Sequence, residues 1–456
     1  MTAEAEATRR LRAWQEAVLV LALVAFGGAL RWTIAERSYP VRTMGDERYY
    51  VRTAQTISRA NKHYFAGLGG PAYAWRPPAH SWLLSLVIDR QEPNDYRPLV
   101  RLQVLLGTAV VAASWLLGRA LFAPATGLLA AAATAVSPAL VSFSHYLWSE
   151  SLFALLITLA LALIALVQRR RGWLLAALAG LVLGAAALTR ELALGVAVVG
   201  ACWWWVTAGR GGRARATLLG AILLACTAAV VLPWSLRNQR ILGRFVPIAT
   251  VGWFATAEGN ILDADDWLRG TSPDEEAYRQ RYFEIPDELR RAGYARKFAL
   301  RRIGEEQPTW IFKKLVRNTA LLLSPDCFLF EKLRRGSYPD PDPDRVRLIV
   351  RATLAWYAAA LLLGAAGLAV AGDLRRRSLA WMVLGSVWAV HVLANASPRF
   401  RVPWWPLVFV YASHLVLHPR LLLGAGKWRW VAAVAAAALF AGLLAPQALA
   451  ELRGLL

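Results

Sequence analysis

The sequence predicts an all-α, polytopic membrane protein. Of its 456 residues, 57% are hydrophobic, and the mean hydropathy is +0.39. A soluble domain has no need of so much apolar surface. Apolar runs of about 20 residues, the length that crosses a bilayer, recur along the chain. We therefore predict about eleven transmembrane helices, at 16–35, 100–119, 124–142, 147–167, 173–189, 191–208, 215–234, 347–371, 379–395, 402–418 and 428–446.

The first and third of these spans and one further segment need separate justification. The span 16–35 follows a basic stretch, as in a signal peptide, but its apolar run is long, so we predict an uncleaved signal anchor. The short third span, 124–142, and the paired fifth and sixth spans, 173–189 and 191–208, have the least secure boundaries. The segment 310–324 is apolar but short and carries Lys313, Lys314 and Arg317. We interpret it as an interfacial or re-entrant helix rather than a span.

Charge determines the predicted orientation. The formal net charge is +22, and if the N-terminus is cytoplasmic, most short inside loops hold about three positive charges, as the positive-inside rule expects. Both long loops, 36–99 and 235–346, then lie outside. The basic residues are spread over many loops, which excludes a nucleic-acid-binding domain and favours contacts with membrane lipids. The Arg- and Ala-rich composition suggests a bacterial inner membrane.

The same pattern divides the chain into three parts. Residues 1–234 form a transmembrane module that includes the outside loop 36–99. Residues 235–346 form an outside region, in which 243–260 is aromatic and β-branched and 263–306 is charged and helical. Residues 347–456 contain the last transmembrane helices. Short apolar segments in both outside loops are predicted to lie as helices along the membrane surface.

Several short motifs occur in a fixed order at the predicted outer ends of spans. They are Gly45-Asp46-Glu47 with Tyr49-Tyr50, Arg76-Pro77-Pro78, Ser149-Glu150, Leu188-Thr189-Arg190, Pro233-Trp234 through Arg237-Asn238, and Ser397-Pro398-Arg399-Phe400-Arg401. This ordered set resembles the GT-C superfamily of integral-membrane glycosyltransferases, and within it the branch of protein O-mannosyltransferases and the lipid A aminoarabinose transferase. The resemblance implies a sugar donor on a polyprenyl phosphate, an active site outside the membrane and inversion at the anomeric carbon. The implied acceptor is a lipid, a glycan or a protein.

The residues suit that chemistry when considered separately from the resemblance. Carboxylates at a membrane boundary are costly unless they have a function or a partner, and Asp46 or Glu47 could remove the proton of an attacking nucleophile. A phosphate leaving group needs cations, and arginine binds phosphate through two parallel hydrogen bonds. We predict that the donor phosphate is bound by Arg237, Arg399, Arg401, Arg76 and Arg190. Sugar or acceptor contacts are predicted for Tyr49, Tyr50, Glu150 and Asn238.

No obligatory metal is predicted, although the carboxylates leave room for a divalent cation. Asp46 and Glu47 lack the spacing of a D-x-D motif, and neighbouring residues on a helix diverge by about 100°. The cluster Asp263, Asp265 and Asp266 is interpreted as a solvated loop. The pair His414 and His418 has no third ligand near it in sequence.

Structural interpretations compete with these roles. Asp46 and Glu47 could cap the helix that follows them, and Glu150 could cap its own helix or pair with an outside arginine. Arg399 and Arg401 could be interfacial side chains, whereas Arg190 could pair with Glu191 or Glu150. A different class of function, a transporter or flippase of a polyprenyl-linked or other anionic lipid, would use the same arginines. It would also favour a repeated architecture, which the sequence lacks, and a non-catalytic scaffold would leave the charged outer residues unexplained.

Overall fold

The computed structural model describes residues 12–65, 70–170, 172–261, 273–325, 328–339 and 342–423. Within these ranges the regular secondary structure consists of helices joined by loops, and the one β-bridge joins Phe65 and Ala72. Two 3₁₀ helices are Arg210–Gly212 and Pro398–Trp404. The α-helices are α1 Ala13–Ser38, α2 Asp46–Ala60, α3 Ala79–Ser85, α4 Arg97–Leu121, α5 Pro124–Val136, α6 Pro138–Phe143, α7 Glu150–Arg170, α8 Trp173–Ala187, α9 Leu192–Thr207, α10 Arg213–Leu242, α11 Val251–Glu258, α12 Pro273–Glu284, α13 Glu288–Glu305, α14 Trp310–Leu323, α15 Leu329–Arg334, α16 Pro343–Val370, α17 Leu374–Leu393, α18 Trp405–Leu417 and α19 Arg420–Leu423.

The all-α polytopic class is confirmed. Each predicted span up to 402–418 coincides with a helix or a pair of helices, and the last, 428–446, lies outside the described residues. Among the described helices, α1, α4, α7, α10 and α16 are long and apolar enough to cross a membrane, while α5, α8 and α9 are apolar but shorter. The predicted loop cluster Asp263, Asp265 and Asp266 also lies outside the described ranges.

The predicted span 124–142 is divided in the structure. It becomes α5 and α6, which meet at Ser137 because Pro138 cannot donate a backbone hydrogen bond and forces its predecessor out of the helical conformation. The freed carbonyl groups at the end of α5 are bound by Arg31 of α1. Its guanidinium donates to the carbonyl oxygens of Thr134 and Ala135, each at 2.9 Å. A buried arginine in the first span thus satisfies backbone groups that lipid could not solvate.

Small residues allow close helix contacts in the bundle. A Cβ atom on Gly180 of α8 would lie 2.4 Å from the carbonyl oxygen of Leu223 in α10, and one on Gly184 would lie 2.5 Å from Cβ of Val230. Glycine is required at these positions because the two backbones approach each other directly. Helix α10 then continues past residue 234 to Leu242, so the outside region begins as an extension of this packed helix.

The outer helices are fastened to the bundle by buried polar groups. The segment predicted as interfacial forms α14, and its Lys314 is buried. Its Nζ donates to the carbonyl oxygens of Gly259, at 2.6 Å, and Ala394, at 2.9 Å. These bonds join α14 to the ends of α11 and α17. Helix α11 packs against α13, and its last residue, Glu258, lines the same cavity as the start of α2.

Candidate active site

Asp46 is the first residue of α2, and two arginines hold its carboxylate. Arg76 donates to Oδ1 at 2.6 Å, and Arg399 donates to Oδ2 at 2.7 Å. Gly45 precedes the helix with a φ of +54°, a conformation that favours glycine, so the chain turns sharply out of the loop into α2. The structure therefore brings together three predicted site residues that are far apart in sequence.

The environment of Asp46 favours its ionised form. Burial alone would raise the pKa of this carboxyl, but the charges of Arg76 and Arg399 outweigh that effect and lower the pKa to about 2. The position at the N-terminal end of α2 acts in the same direction, because the helix dipole is positive there. Asp46 is accordingly a carboxylate at any physiological pH while both arginines remain bound to it.

Two further predicted residues extend this group of charges. Glu150, the first residue of α7, is buried and forms an ion pair with Arg190. The same oxygen, Oε1, lies 3.8 Å from Nε of Arg399. This pairing is one of the structural alternatives weighed for Arg190; Glu191 instead accepts the backbone N–H of Ala249 at 2.7 Å. Positive and negative groups thus alternate from Arg190 through Glu150 and Arg399 to Asp46 and Arg76.

A cavity of about 590 Å³ opens beside this alternating group. Asp46, Arg76, Arg190 and Arg399 all line it. The rest of the lining includes aromatic side chains, two further carboxylates and three further arginines. These residues are Tyr49, Tyr50, Phe65, Trp75, Phe153, Phe254, Phe283, His391 and Phe400, then Glu191 and Glu258, and Arg48, Arg52 and Arg279. A cavity that is lined by arginines and aromatic rings can bind a phosphate and an attached sugar.

The two predicted tyrosines line the cavity but differ in their contacts. Tyr49 is buried against Trp75, with ring centroids 5.1 Å apart. The hydroxyl of Tyr50 donates to Oγ of Ser149 at 3.3 Å, next to Glu150. The Arg76 guanidinium carbon lies 4.8 Å from the centroid of the Trp75 ring, so that ring orients the arginine that holds Asp46.

Glu47 faces away from this cavity, although it follows Asp46 directly. Its Oε2 accepts hydrogen bonds from Nζ of Lys332 and from the N–H of Met44, both at 2.8 Å. Its Oε1 accepts the N–H of Leu147 at 2.9 Å. The pair of Glu47 and Lys332 is buried, and burial raises the pKa of Glu47 although the lysine charge opposes this. This carboxylate joins α2 to α15, and we do not retain Glu47 as a candidate base.

Arg237 and Asn238 lie at a different place from Asp46. The Arg237 guanidinium donates to the carbonyl oxygens of Tyr73 and His63, both at 2.7 Å, and lines a separate cavity with them. The Asn238 amide donates to the carbonyl oxygens of Val246 and Ile248. Both side chains therefore hold loops in place, and neither is brought to the group around Asp46.

Arg401 also binds backbone carbonyl groups. It donates to the carbonyl oxygen of Leu322 at 2.8 Å and to that of Pro325 at 3.2 Å. These carbonyls are at the C-terminal end of α14, where a helix leaves acceptors unpaired. The two arginines of this short motif thus have different surroundings. Arg399 lines the cavity, whereas Arg401 binds carbonyl groups at the end of α14.

The arrangement does not fit a divalent cation at the acidic pair. Both oxygens of Asp46 are bound to arginines and both oxygens of Glu47 are bound to other donors. In the part of the chain that the structure describes, no three His, Cys, Asp or Glu side chains are grouped so that they could hold a metal. We derive no step through a metal ion.

Sequence reasoning missed two residues of this region. Lys332, the partner of Glu47, lies 285 residues further along the chain, and no local pattern marked it. Glu258 ended the aromatic stretch 243–260 and received no role. The sequence did contain a signal for Glu258, because this carboxylate interrupts an apolar, aromatic segment of a predicted outside loop.

Comparison with known proteins gives one family match. A family model described as dolichyl-phosphate-mannose-protein mannosyltransferase matches residues 75–236. The matched region contains Arg76, Glu150 and Arg190 but not Asp46 or Arg399. No curated protein matches the sequence significantly.

The fold is similar to that of an archaeal oligosaccharyltransferase from Archaeoglobus fulgidus. The crystal structure of that enzyme tethered to an acceptor peptide has a TM-score of 0.55, with 15% sequence identity over 97% of this chain and 55% of that one. Its complex with an inhibitory peptide and a dolichol-phosphate has the same score and identity, covering 97% and 56%. This chain thus spans about half the length of these structures.

These matches confirm the predicted resemblance to the GT-C superfamily at the level of fold and superfamily. The motif order had predicted that class, and the two comparisons are to a mannosyltransferase model and to an oligosaccharyltransferase. The branch within the superfamily stays a prediction.

Proposed function

We propose that this protein is a membrane glycosyltransferase that moves a sugar from a polyprenyl phosphate to a lipid, glycan or protein acceptor, with inversion. The proposal places the reaction on the outer face of a bacterial inner membrane, with a cytoplasmic N-terminus. The family match to a mannosyltransferase model and the fold of an oligosaccharyltransferase support the activity. The three-part division at residues 234 and 346 remains part of the proposal.

One observation carries the assignment of the site. Two arginines that are 30 and 353 residues away from Asp46 in sequence converge on its two oxygens at the wall of one cavity. A carboxylate and a phosphate present similar pairs of oxygens to a guanidinium. We therefore infer that the donor phosphate replaces Asp46 as the partner of Arg76 and Arg399.

That exchange would also activate Asp46. While both arginines bind it, its pKa is about 2, which makes it a poor base. When the phosphate draws the arginines away, the remaining burial raises the pKa of Asp46, and the carboxylate becomes able to accept a proton. Binding of the donor thereby converts Asp46 into a general base.

The reaction then follows from the positions of these groups. The acceptor oxygen or nitrogen forms a bond to the anomeric carbon as the bond from that carbon to the phosphate oxygen breaks. The bonding electrons stay on the phosphate, whose charge Arg76 and Arg399 stabilise, as preorganised cations do in other active sites. The acceptor proton passes to Asp46. Arg190 and Glu150 keep Arg399 in position, and Tyr49 and Tyr50 form part of the sugar-facing wall.

The test uses the purified protein with a panel of polyprenyl-phosphate sugars and compares wild type with Asp46→Asn. We expect one or more donors to be consumed by wild type and consumption by Asp46→Asn to fall by about 10²–10⁴-fold, the usual contribution of a general base. Binding of farnesyl phosphate, used as a probe, should be retained or strengthened, because the variant no longer competes for the two arginines.

A matched control is Asp95→Asn, which removes an outside carboxylate that accepts a hydrogen bond from Tyr39 rather than from an arginine of the cavity. Wild-type rates in Asp46→Asn would end the proposed mechanism. Movement of the prenyl phosphate across vesicles that persists in Asp46→Asn, without sugar transfer in wild type, would instead favour a transporter.

A further inference from the structure

Two further carboxylates, Glu191 and Glu258, line the cavity beside Asp46, and the environment of Glu258 is the opposite of that of Asp46. Glu258 is the last residue of α11, where the helix dipole is negative and disfavours an anion. Asp46 begins α2, where the dipole favours one. Both line the same cavity of about 590 Å³, and the charge of Asp46 acts on Glu258.

The contacts of Glu258 leave one oxygen available. Oε1 accepts a hydrogen bond from Nε of Arg279 at 2.6 Å, and the side chain is only 14% exposed. Within the described ranges no donor reaches Oε2. Arg279 is shared with Glu275, which lies 2.8 Å from its Nη2. Glu258 therefore has one oxygen fixed by a cation and another that can take up a proton.

Burial and the charged groups on neighbouring elements together determine the pKa of Glu258. Burial raises its pKa to about 7, although Arg279 of α12 opposes the effect, and the negative charges of Glu275 and Asp46 add to it. Tyr278 and Tyr282 of α12 also interact with it electrostatically. Two carboxyls in one site with pKa values pushed apart are typical of divided acid–base roles.

We propose that Glu258 is a second acid–base residue of this site and the final acceptor of the proton released by the acceptor nucleophile. This inference rests on the proposed function. In the balanced step, the nucleophile bonds to the anomeric carbon, and the lipid phosphate leaves with the electron pair. The nucleophile's proton passes first to Asp46 and then to Oε2 of Glu258. When the arginines return to Asp46 after the product leaves, Asp46 cannot keep a proton, whereas Glu258 can.

The experiment measures kcat/KM for the acceptor against pH, with the donor that wild type consumes in the panel described above. The wild-type rate should rise with pH through about 7, because Glu258 must be ionised before it can accept a proton. In Glu258→Gln the rate at pH 8 should fall by about 10²-fold, and the rise near pH 7 should disappear. Glu258→Asp should restore part of the rate and the rise.

Glu275→Gln is the matched control, since it removes a carboxylate from the same arginine and does not line the cavity. It should retain the wild-type rate at pH 8 and a rise with pH, and the rise should move to lower pH because one of the charges that raise the pKa of Glu258 is removed. Farnesyl phosphate should bind Glu258→Gln as it binds wild type, which also shows that the variant is folded. A wild-type profile in Glu258→Gln, or loss of the rise in Glu191→Gln instead, would overturn the proposal. Activity that persists in Asp46→Asn would contradict the proposed function itself, so the two failures are distinguishable.

Discussion

At the scale of single residues, the adjacent carboxylates show how far local sequence determines a role. Both Asp46 and Glu47 were predicted as catalytic because of their place after the first span. A helix separates neighbouring side chains by about 100°, so the two must face different surroundings. The choice between them depended on Arg76, Arg399 and Lys332, which approach from elsewhere in the fold. Asp46 therefore reaches the cavity, and Glu47 stabilises the structure.

The buried pair of Glu47 and Lys332 gives a residue-scale prediction. Lys332→Met should lower the free energy of unfolding by about 3–5 kcal/mol, because it leaves the Glu47 charge buried without its partner. The measurement is thermal or denaturant unfolding in detergent. The control is Lys313→Met, which breaks an exposed ion pair with Glu306 and should cost no more than about 1 kcal/mol. Equal effects of the two substitutions would show that the buried pair has no special importance.

At the scale of helices, glycines decide how closely the spans approach. The periodic apolar pattern predicted where the spans lie, but the contact of α4 with α5 depends on Gly118 and Gly127. A Cβ on Gly118 would lie 2.7 Å from Cα of Gly127, and one on Gly127 would lie 2.5 Å from the carbonyl oxygen of Trp115. Backbone atoms cannot move away as a flexible side chain can, so each position accepts only glycine.

The corresponding prediction compares two glycines within apolar helices. Gly127→Ala should destabilise the protein by about 1–3 kcal/mol, as overpacking does. Gly195→Ala on α9, where an added Cβ meets nothing within 4 Å, should be neutral or slightly stabilising because alanine favours the helix. Thermal aggregation of both variants in the same detergent provides the measurement. A lower midpoint for Gly195→Ala than for Gly127→Ala would contradict the packing explanation.

At the scale of the whole molecule, the reaction requires that the charged cavity face one side of the membrane. Asp46, Arg190 and Arg399 lie at or beside ends of the described helices, and the charge rule predicts that these ends lie outside. The aromatic lining comes from α2, α7, α11, α12 and α17, from the 3₁₀ helix Pro398–Trp404 and from the loop that holds Phe65 and Trp75. One face of the bundle thus provides both the cations for a phosphate and the space for a sugar.

This orientation can be tested by chemical labelling of intact cells. A cysteine at Lys62, on the exposed turn after α2, should react with a membrane-impermeant maleimide. A cysteine at Gly211, in the exposed turn before α10, should react only after the membrane is made permeable. The native cysteines are replaced by serine in the parent protein as the background. Reaction of the Gly211 cysteine in intact cells, with no reaction at Lys62, would reverse the predicted topology and move the cavity to the cytoplasm.

The sequence by itself determined the membrane class, the places of the spans through 402–418 and the motifs that carry Asp46, Arg76, Arg190 and Arg399. Apolar length and charge distribution are local properties, so they can be recognised along one chain. Only the tertiary structure decided that Arg237, Asn238 and Arg401 bind backbone carbonyls, that Glu47 pairs with Lys332 and that Glu258 lines the same cavity as Asp46. Those outcomes depend on contacts between distant segments, and a side chain's partner in the fold cannot be inferred from its neighbours in sequence.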